Sequence, residues 1–372
     1  MTPHAPPASA TLGTMPHDIP PIDTLPRATP ARDAAPVEPS ARDTPAGRTS
    51  SDGRADVASP DATPRRPGDD RQTERPAPPT ATRFSEERRT ELARRTLAGT
   101  LDRVRRGVYL PPVPDDLSPA QLRRELVLRR VSAVAERLSS AYWFSHTSAA
   151  LLHGCWTWRL ADVVHLTQLR PPKAAQTREP ALRRHWTPLP VRDRTLVSGL
   201  PVTTLERTVV DCARSLPGAQ ALVVADSALR AGADPAVLAV LLTEAAGRRG
   251  VRRARDVVGL ADARSESPGE SVVRWVVHDA GLPAPVPGLE VPTWRGSLWV
   301  DLGWPEHRVA VEFDGAVKYS GGDFGDPRTR LQREKERHDA LVEAGWVVLR
   351  VVWADLGDPA TIVRRVERAL RR

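Results

Sequence analysis

The sequence predicts an α/β domain with a mixed sheet flanked by helices over 265–372. Before it lie a mainly helical α+β region over 116–255, a short basic segment at 83–115 and a disordered tail over 1–82. Three observations carry this. The stretch 346–353, WVVLRVVW, is apolar and β-branched, which suits a strand covered on both faces, and the pattern around it reads helix, strand, strand, helix, strand, helix. Between 117 and 246 five stretches read as helices against one strand and one extended stretch. Before residue 83 there is no Phe, Trp or Tyr, and 17 of the chain's 37 prolines fall there.

That tail carries 9 Arg against 11 Asp plus Glu, and such a segment cannot bury enough apolar surface to offset its ordering entropy. Order is expected from Phe84. A helix over 86–101 is marked by Leu92, Leu97 and Leu101, and RVRRGVYL at 103–110 reads as a strand entering a basic ribbon, stopped by Pro111, Pro112 and Pro114. Helices follow at 117–138 and 145–154, the latter with Ser145 or Thr147 as cap. A strand is expected at 163–169 and an extended stretch at 196–203. Thr203-x-x-Glu206 matches a capping box for a helix over 205–215. Further helices fit 219–231 and 235–246, and the basic run 247–255 starts another helix or a linker. Ser267-Pro268 opens a helix that Gly281 stops. Strands at 298–304 and 308–314, a helix at 328–344, the apolar strand and a last helix at 361–370 complete the chain.

The chain has 372 residues, a net charge of +8 and a pI near 10.3, a balance that permits a polyanionic partner, of which nucleic acid is the commonest kind. Only Lys173, Lys318 and Lys335 are lysines; the remaining basic residues are arginine. Cys155 and Cys212 provide neither a disulfide framework nor zinc-ligand spacing, which predicts a cytoplasmic protein. No apolar run approaches the roughly 20 residues a membrane helix needs. His146, His153 and Cys155 lie close in sequence, but their spacing fits no standard metal site, and helix packing is the better reading.

The two strands of the C-terminal region carry the candidate chemistry. With Pro305–Arg308 as the loop, Trp304 faces Val309, Leu302 faces Val311 and Val300 faces Phe313, so six apolar residues share one face; a one-residue slip sets them against polar neighbours. This register sets Asp301 opposite Glu312, with Cβ atoms about 4.5–5.5 Å apart. Asp314 follows on the same face. Like charges so placed repel, and a divalent cation such as Mg²⁺ or Mn²⁺, held by Asp301 and Glu312, reverses the penalty. The other reading is a solvated polar face. Glu270 closes a capping box with Ser267, yet shares a helix face with Val273 and Val277 that turns toward the sheet, so cap and site both fit. Lys335 shares a helical stripe with Leu331, His338 and Val342. It either meets the carboxylates, because an unpaired buried ammonium is costly, or pairs on the surface with Asp339. Lys318 follows the acidic strand in a loop. A lysine can orient or deprotonate a water where an arginine cannot.

These residues resemble the PD-(D/E)XK nuclease superfamily: a helical Glu (Glu270), an Asp on one strand (Asp301) and Glu312-Phe313-Asp314 in the place of E-x-K. The closer resemblance is to very-short-patch-repair-like domains, on VAVEFDG at 309–315, DALVEAGWVVLRV at 339–351 and WADL at 353–356. It covers about 100 residues and implies a restriction-endonuclease-like fold over 265–372. It further implies a metal-dependent site of Glu270, Asp301, Glu312 and Asp314, with Lys318 or Lys335 standing in for the lysine that Asp314 replaces. Residues 84–255 resemble AbiEi-type antitoxin regulators, on RVRRGVYL, SHTSAALLHG at 145–154 and GLPVTTLERTVVDCAR at 199–214. That resemblance implies a partial winged helix at 83–115 whose wing offers Arg103, Arg105 and Arg106 to DNA phosphates.

Two functions follow. One is a Mg²⁺- or Mn²⁺-dependent DNA endonuclease hydrolysing phosphodiester bonds, with a DNA-binding antitoxin-like N-terminal region. The alternative is a non-catalytic DNA-binding transcriptional regulator or antitoxin carrying a degenerate nuclease fold.

Overall fold

The computed structural model describes residues 77–171, 179–315 and 327–372. The expected tail lies outside the described residues up to 76, and so does Lys318. What is described is a mixed α/β protein with three sheets and ten α-helices among the described residues, none of the helices long and apolar enough to cross a membrane.

The first sheet is a small antiparallel ribbon. β1 (Thr82–Arg83) pairs with β3 (Val108–Leu110), which pairs with β2 (Asp102–Arg105) across a turn at Gly107, whose φ of +77° suits glycine. Between β1 and β2 runs α1 (Arg89–Leu97), shorter than the helix expected over 86–101: a 3-10 turn occupies Glu86–Arg88, and Leu97 is exposed. Leu92, Leu101, Val108 and Leu110 form the buried side. The ribbon is docked on α2 (Pro119–Ala135), which starts at a complete capping box between Ser118 and Gln121. Arg129 of α2 is buried, reaching Asp102 at 3.1 Å and the carbonyl of Pro111.

The second sheet has the order β6-β5-β4-β8-β7. Its strands are β4 (Trp143–Phe144), β5 (Val164–Gln168), β6 (Leu182–Trp186), β7 (Arg194–Val197) and β8 (Leu200–Thr203). The pairs β5–β6 and β4–β8 are parallel and the others antiparallel. The stretch expected to be simply extended at 196–203 is a hairpin, turned at Ser198 and Gly199 with φ of +49° and +76°. α2 and α3 (His146–Leu152) cover this sheet, burying Val127, Leu128, Val131, Phe144, Leu151, Leu152, Leu166 and Val202. Neither expected cap holds α3, since no side chain caps its first turn. The next helix, α4 (Leu205–Ser215), is capped by Thr204, whose hydroxyl accepts from the Arg207 N–H; Thr203 instead hydrogen-bonds Thr208. α4 packs with α5 (Gly218–Arg230), α6 (Pro235–Glu244) and α7 (Val251–Leu260) around Val209, Leu222, Leu238 and Val257.

The third sheet has the order β12-β11-β10-β9. α8 (Pro268–Asp279) leads into the meander β9 (Val286–Thr293), β10 (Gly296–Trp304) and β11 (Val309–Asp314). α9 (Pro327–Glu343) then returns the chain to β12 (Val347–Val352), parallel to β11, and α10 (Pro359–Leu370) closes it. α8 and α10 pack on Leu302, Trp304, Val309, Val311 and Val351, while Leu341 of α9 packs with Val291, Val300 and Ala310. β9 was not expected. Its sequence, VPGLEVPT, holds two prolines and a glycine, and it survives as a strand because it lies at the sheet edge, where a missing N–H is tolerated.

Candidate functional site

β10 and β11 meet in the register that the apolar pattern demands: Leu302 opposite Val311, Gly303 opposite Ala310 and Trp304 opposite Val309. The paired ladder stops there, so Asp301–Glu312 and Val300–Phe313 are not ladder pairs. Leu302 and Val300 also join different cores, which places a break in the side-chain alternation at Asp301. The Asp301 carboxylate accepts the Phe313 N–H at 2.8 Å, so a side chain rather than a strand carbonyl receives that donor.

Asp301, Glu312 and Asp314 line one cleft of about 250 Å³ together with Phe313, Glu334, Arg337 and Arg350. Glu312 does not rely on a cation for its counter-charge. The Arg337 guanidinium donates to Glu312 Oε1 from Nε at 3.1 Å and from Nη2 at 2.8 Å, and Arg337 also reaches the Trp299 carbonyl.

Glu270 stands outside this lining, buried at 4% exposure near the start of α8. Half of its expected capping box forms: Ser267 Oγ accepts the Glu270 N–H at 3.2 Å. The reciprocal bond shifts by one residue, the carboxylate taking the Glu266 N–H at 2.8 Å. Burial first, and the negative charge of Asp301 second, push its carboxyl up to about 8. Asp301 therefore belongs to both neighbourhoods: it lines the cleft and its field reaches Glu270.

The structure does not bring Lys335 to the carboxylates. It is exposed and absent from the cleft lining. The helix α9 is rotated relative to the expected stripe: Ala340 and Leu341 are buried, Val342 is half exposed, and Glu334 and Arg337 face the sheet. α9 has so few apolar residues that both phases satisfy helical spacing. Arg337 was legible only as the residue one turn before Leu341.

In the ribbon, Arg103 and Arg106 are exposed, and Arg105 pairs through its backbone with Val108 beside a bulge. His146, His153 and Cys155 do not meet as a site. His153 Nε2 bonds the Thr203 carbonyl at 2.8 Å in the core, Cys155 is buried among the α4–α7 helices, and His146 faces elsewhere, toward His165 and His185.

Chemically, the cleft offers hard carboxylate oxygens from two strands, a donor set suited to Mg²⁺ or Mn²⁺. The Arg337–Glu312 bond competes with such an ion for one of those oxygens. The ribbon offers exposed guanidinium groups on a hairpin held to α2 by a buried arginine.

The family described as "AbiEi antitoxin C-terminal domain" matches residues 144–260. Two proteins of Mycobacterium tuberculosis, Uncharacterized protein MT2308 of strain CDC 1551 / Oshkosh and Uncharacterized protein Rv2248 of strain ATCC 25618 / H37Rv, are each 34% identical over 179 residues. The match covers 47% of this chain and 64% of each relative, just under two thirds of their length. The crystal structure of RV2827C protein from Mycobacterium tuberculosis is 14% identical, with a TM-score of 0.33, covering 57% of this chain and 83% of that one.

Proposed function

We propose that this protein is a DNA-binding regulator of the antitoxin type, with β2, β3 and α1 forming a partial winged helix that contacts DNA. The observation that carries the reading is an arginine-bearing hairpin, anchored by the buried Arg129 of α2, that precedes the region matching the antitoxin C-terminal domain with only α2 between them. Arg103 and Arg106 stand exposed on that hairpin, available to phosphates; such contacts position a protein on the duplex without reading sequence. On this reading 83–115 is the contact module, 116–255 the antitoxin-like region, and 265–372 a restriction-endonuclease-like fold kept for structure. A reducing cytoplasm suits the two buried cysteines.

Fluorescence anisotropy on duplex DNA across a salt series tests this. Binding should weaken steeply with salt, and the double substitution Arg103→Ala, Arg106→Ala should lower the log–log slope by about 2, roughly one per phosphate contact. Absence of binding at low salt, or an unchanged slope in the variant, would sink the reading.

A second reading is favoured by one specific observation: Asp301, Glu312 and Asp314 converge on one cleft. On that reading the domain is a metal-dependent endonuclease. Asp301 and Glu312 would hold Mg²⁺ or Mn²⁺, which would supply Lewis-acid activation of the phosphodiester, with Asp314 beside them in the cleft and Glu270 a buried neighbour whose proton affinity Asp301 raises. The Arg337 bond to Glu312 and the outward Lys335 weigh against it. Cleavage of supercoiled, linear and single-stranded DNA with Mn²⁺, abolished by Asp301→Ala with Glu312→Ala, would raise this reading over the first.

A further inference from the structure

Three histidines outside the acidic cleft meet at the second sheet. His146 opens α3, His165 lies in β5 and His185 in β6, so no sequence motif joins them. Parallel pairing of β5 with β6 sets His185 level with Thr167 and so beside His165. His165 Nδ1 and His185 Nε2 are 3.0 Å apart, and the His146 ring lies over the His185 ring with centroids 3.7 Å apart and planes 16° from parallel. One ring nitrogen from each histidine falls within 4.8 Å of the other two.

Two further features favour a ligand rather than packing alone. His146 holds a φ of +53°, left-handed backbone that an L-residue adopts against steric resistance, and this strain delivers its ring to the cluster. Ser145 Oγ lies 3.0 Å from His146 Nδ1 and is itself fixed by the Thr167 hydroxyl at 2.9 Å. That bond occupies Nδ1 and leaves Nε2 as the nitrogen that can take an ion, the arrangement by which a neighbouring group orients a metal-bound imidazole.

We propose that His146, His165 and His185 form a three-imidazole site for a first-row divalent cation, Zn²⁺ foremost. The donors are all nitrogen, which suits Zn²⁺, Co²⁺, Ni²⁺ or Cu²⁺ and not Mg²⁺ or Ca²⁺. Zinc–nitrogen bonds of about 2.0–2.1 Å on a tetrahedral ion set the nitrogens about 3.4 Å apart. The His165–His185 pair already has nearly that separation, and His146 closes the remainder by turning out of its stack. The ion would tie the edge strand β6 to β5 and to the start of α3, leaving a fourth position for water or an exchangeable ligand. This site is independent of the DNA-binding reading.

The test uses untagged full-length protein stripped with chelator. Titration with Co²⁺ should give one ion per chain with visible d–d bands of a nitrogen-rich site, displaced by Zn²⁺ and not by Mg²⁺. Affinity should fall at least about tenfold in His165→Gln and in His185→Gln, and by about 10–100-fold in Ser145→Ala, which frees the His146 ring. Asp301→Ala with Glu312→Ala should leave it unchanged. X-ray absorption of the zinc-loaded wild type, which needs no variant to fold, should show three imidazole nitrogens. Absence of Co²⁺ binding, affinity untouched by the histidine variants, or an oxygen-only first sphere would each overturn the site.

Discussion

Glu270→Gln isolates the electrostatics of the acidic cluster from its chemistry. Glu270 is 4% exposed and its carboxyl is pushed from an ordinary 4.5 up to about 8, mainly by burial and next by the charge of Asp301. The folded chain therefore holds this proton over a range in which the unfolded chain has lost it. Stability contributed by the neutral carboxyl is complete below 4.5 and drains away as pH rises toward 8, at about 1.4 kcal/mol per pH step for one group. The whole span bounds the effect at about 5 kcal/mol. Glutamine cannot ionise and keeps an oxygen to accept the Glu266 N–H now bonded at 2.8 Å. The variant should match wild type near pH 4.5 and exceed it by a few kcal/mol at pH 8. Urea unfolding followed by tryptophan fluorescence at several pH values measures this directly. Equal midpoints at pH 8, or a gain that is the same at pH 4.5, would refute the reasoning.

Arg337→Met should cost about 1–3 kcal/mol by removing charged donors from Glu312, 2.8 Å from Arg337 Nη2, and millimolar Mn²⁺ should restore much of it. A loss that Mn²⁺ leaves untouched removes the cation reading of the cleft. Gly218→Ala places a Cβ about 1.9 Å from the Trp275 ring, so urea titration should show about 1–3 kcal/mol of destabilisation from overpacking where α5 meets α8. Arg274→Met strands the Asp226 carboxylate, with side chains 3% and 0% exposed, and should cost about 3–5 kcal/mol; adding Asp226→Leu should recover part of that loss in the same assay.

Legibility followed the strength of the local pattern. α5, α6 and α10 lie within two residues of the expected bounds because their apolar spacing and Pro or Gly stops agree. β10 and β11 were readable to the register over Leu302, Trp304, Val309 and Val311, which only one pairing brings together, while the expected Asp301–Glu312 and Val300–Phe313 pairs do not form. β6 escaped notice because its sequence, LRRHW, reads as a basic loop; at a sheet edge such residues are tolerated and discourage further pairing. Arg337 was hidden by the ambiguous phase of α9. The histidine cluster had no signal at all in one dimension, since its members come from three elements that only the β5–β6 pairing and the start of α3 bring together.

The region matching the antitoxin family is joined to the third sheet by polar bonds that permit little sliding. Asp226 of α5 accepts from Ser271 Oγ at 2.7 Å and Arg274 Nη1 at 2.8 Å, both on α8, and from the Asp262 N–H at 2.8 Å. Arg274 also donates to Ser265 Oγ and to the Leu260 carbonyl. Val223 of α5 contributes to the same apolar core as Val272, Val273 and Leu302. A buried, multiply bonded carboxylate tolerates only one relative placement of two helices, because any slip leaves a charge without its partner. α8 also carries Glu270, whose proton responds to Asp301. α8 thus carries both the Ser271 and Arg274 bonds that fix it to α5 and the buried Glu270 carboxyl, whose proton affinity Asp301 raises.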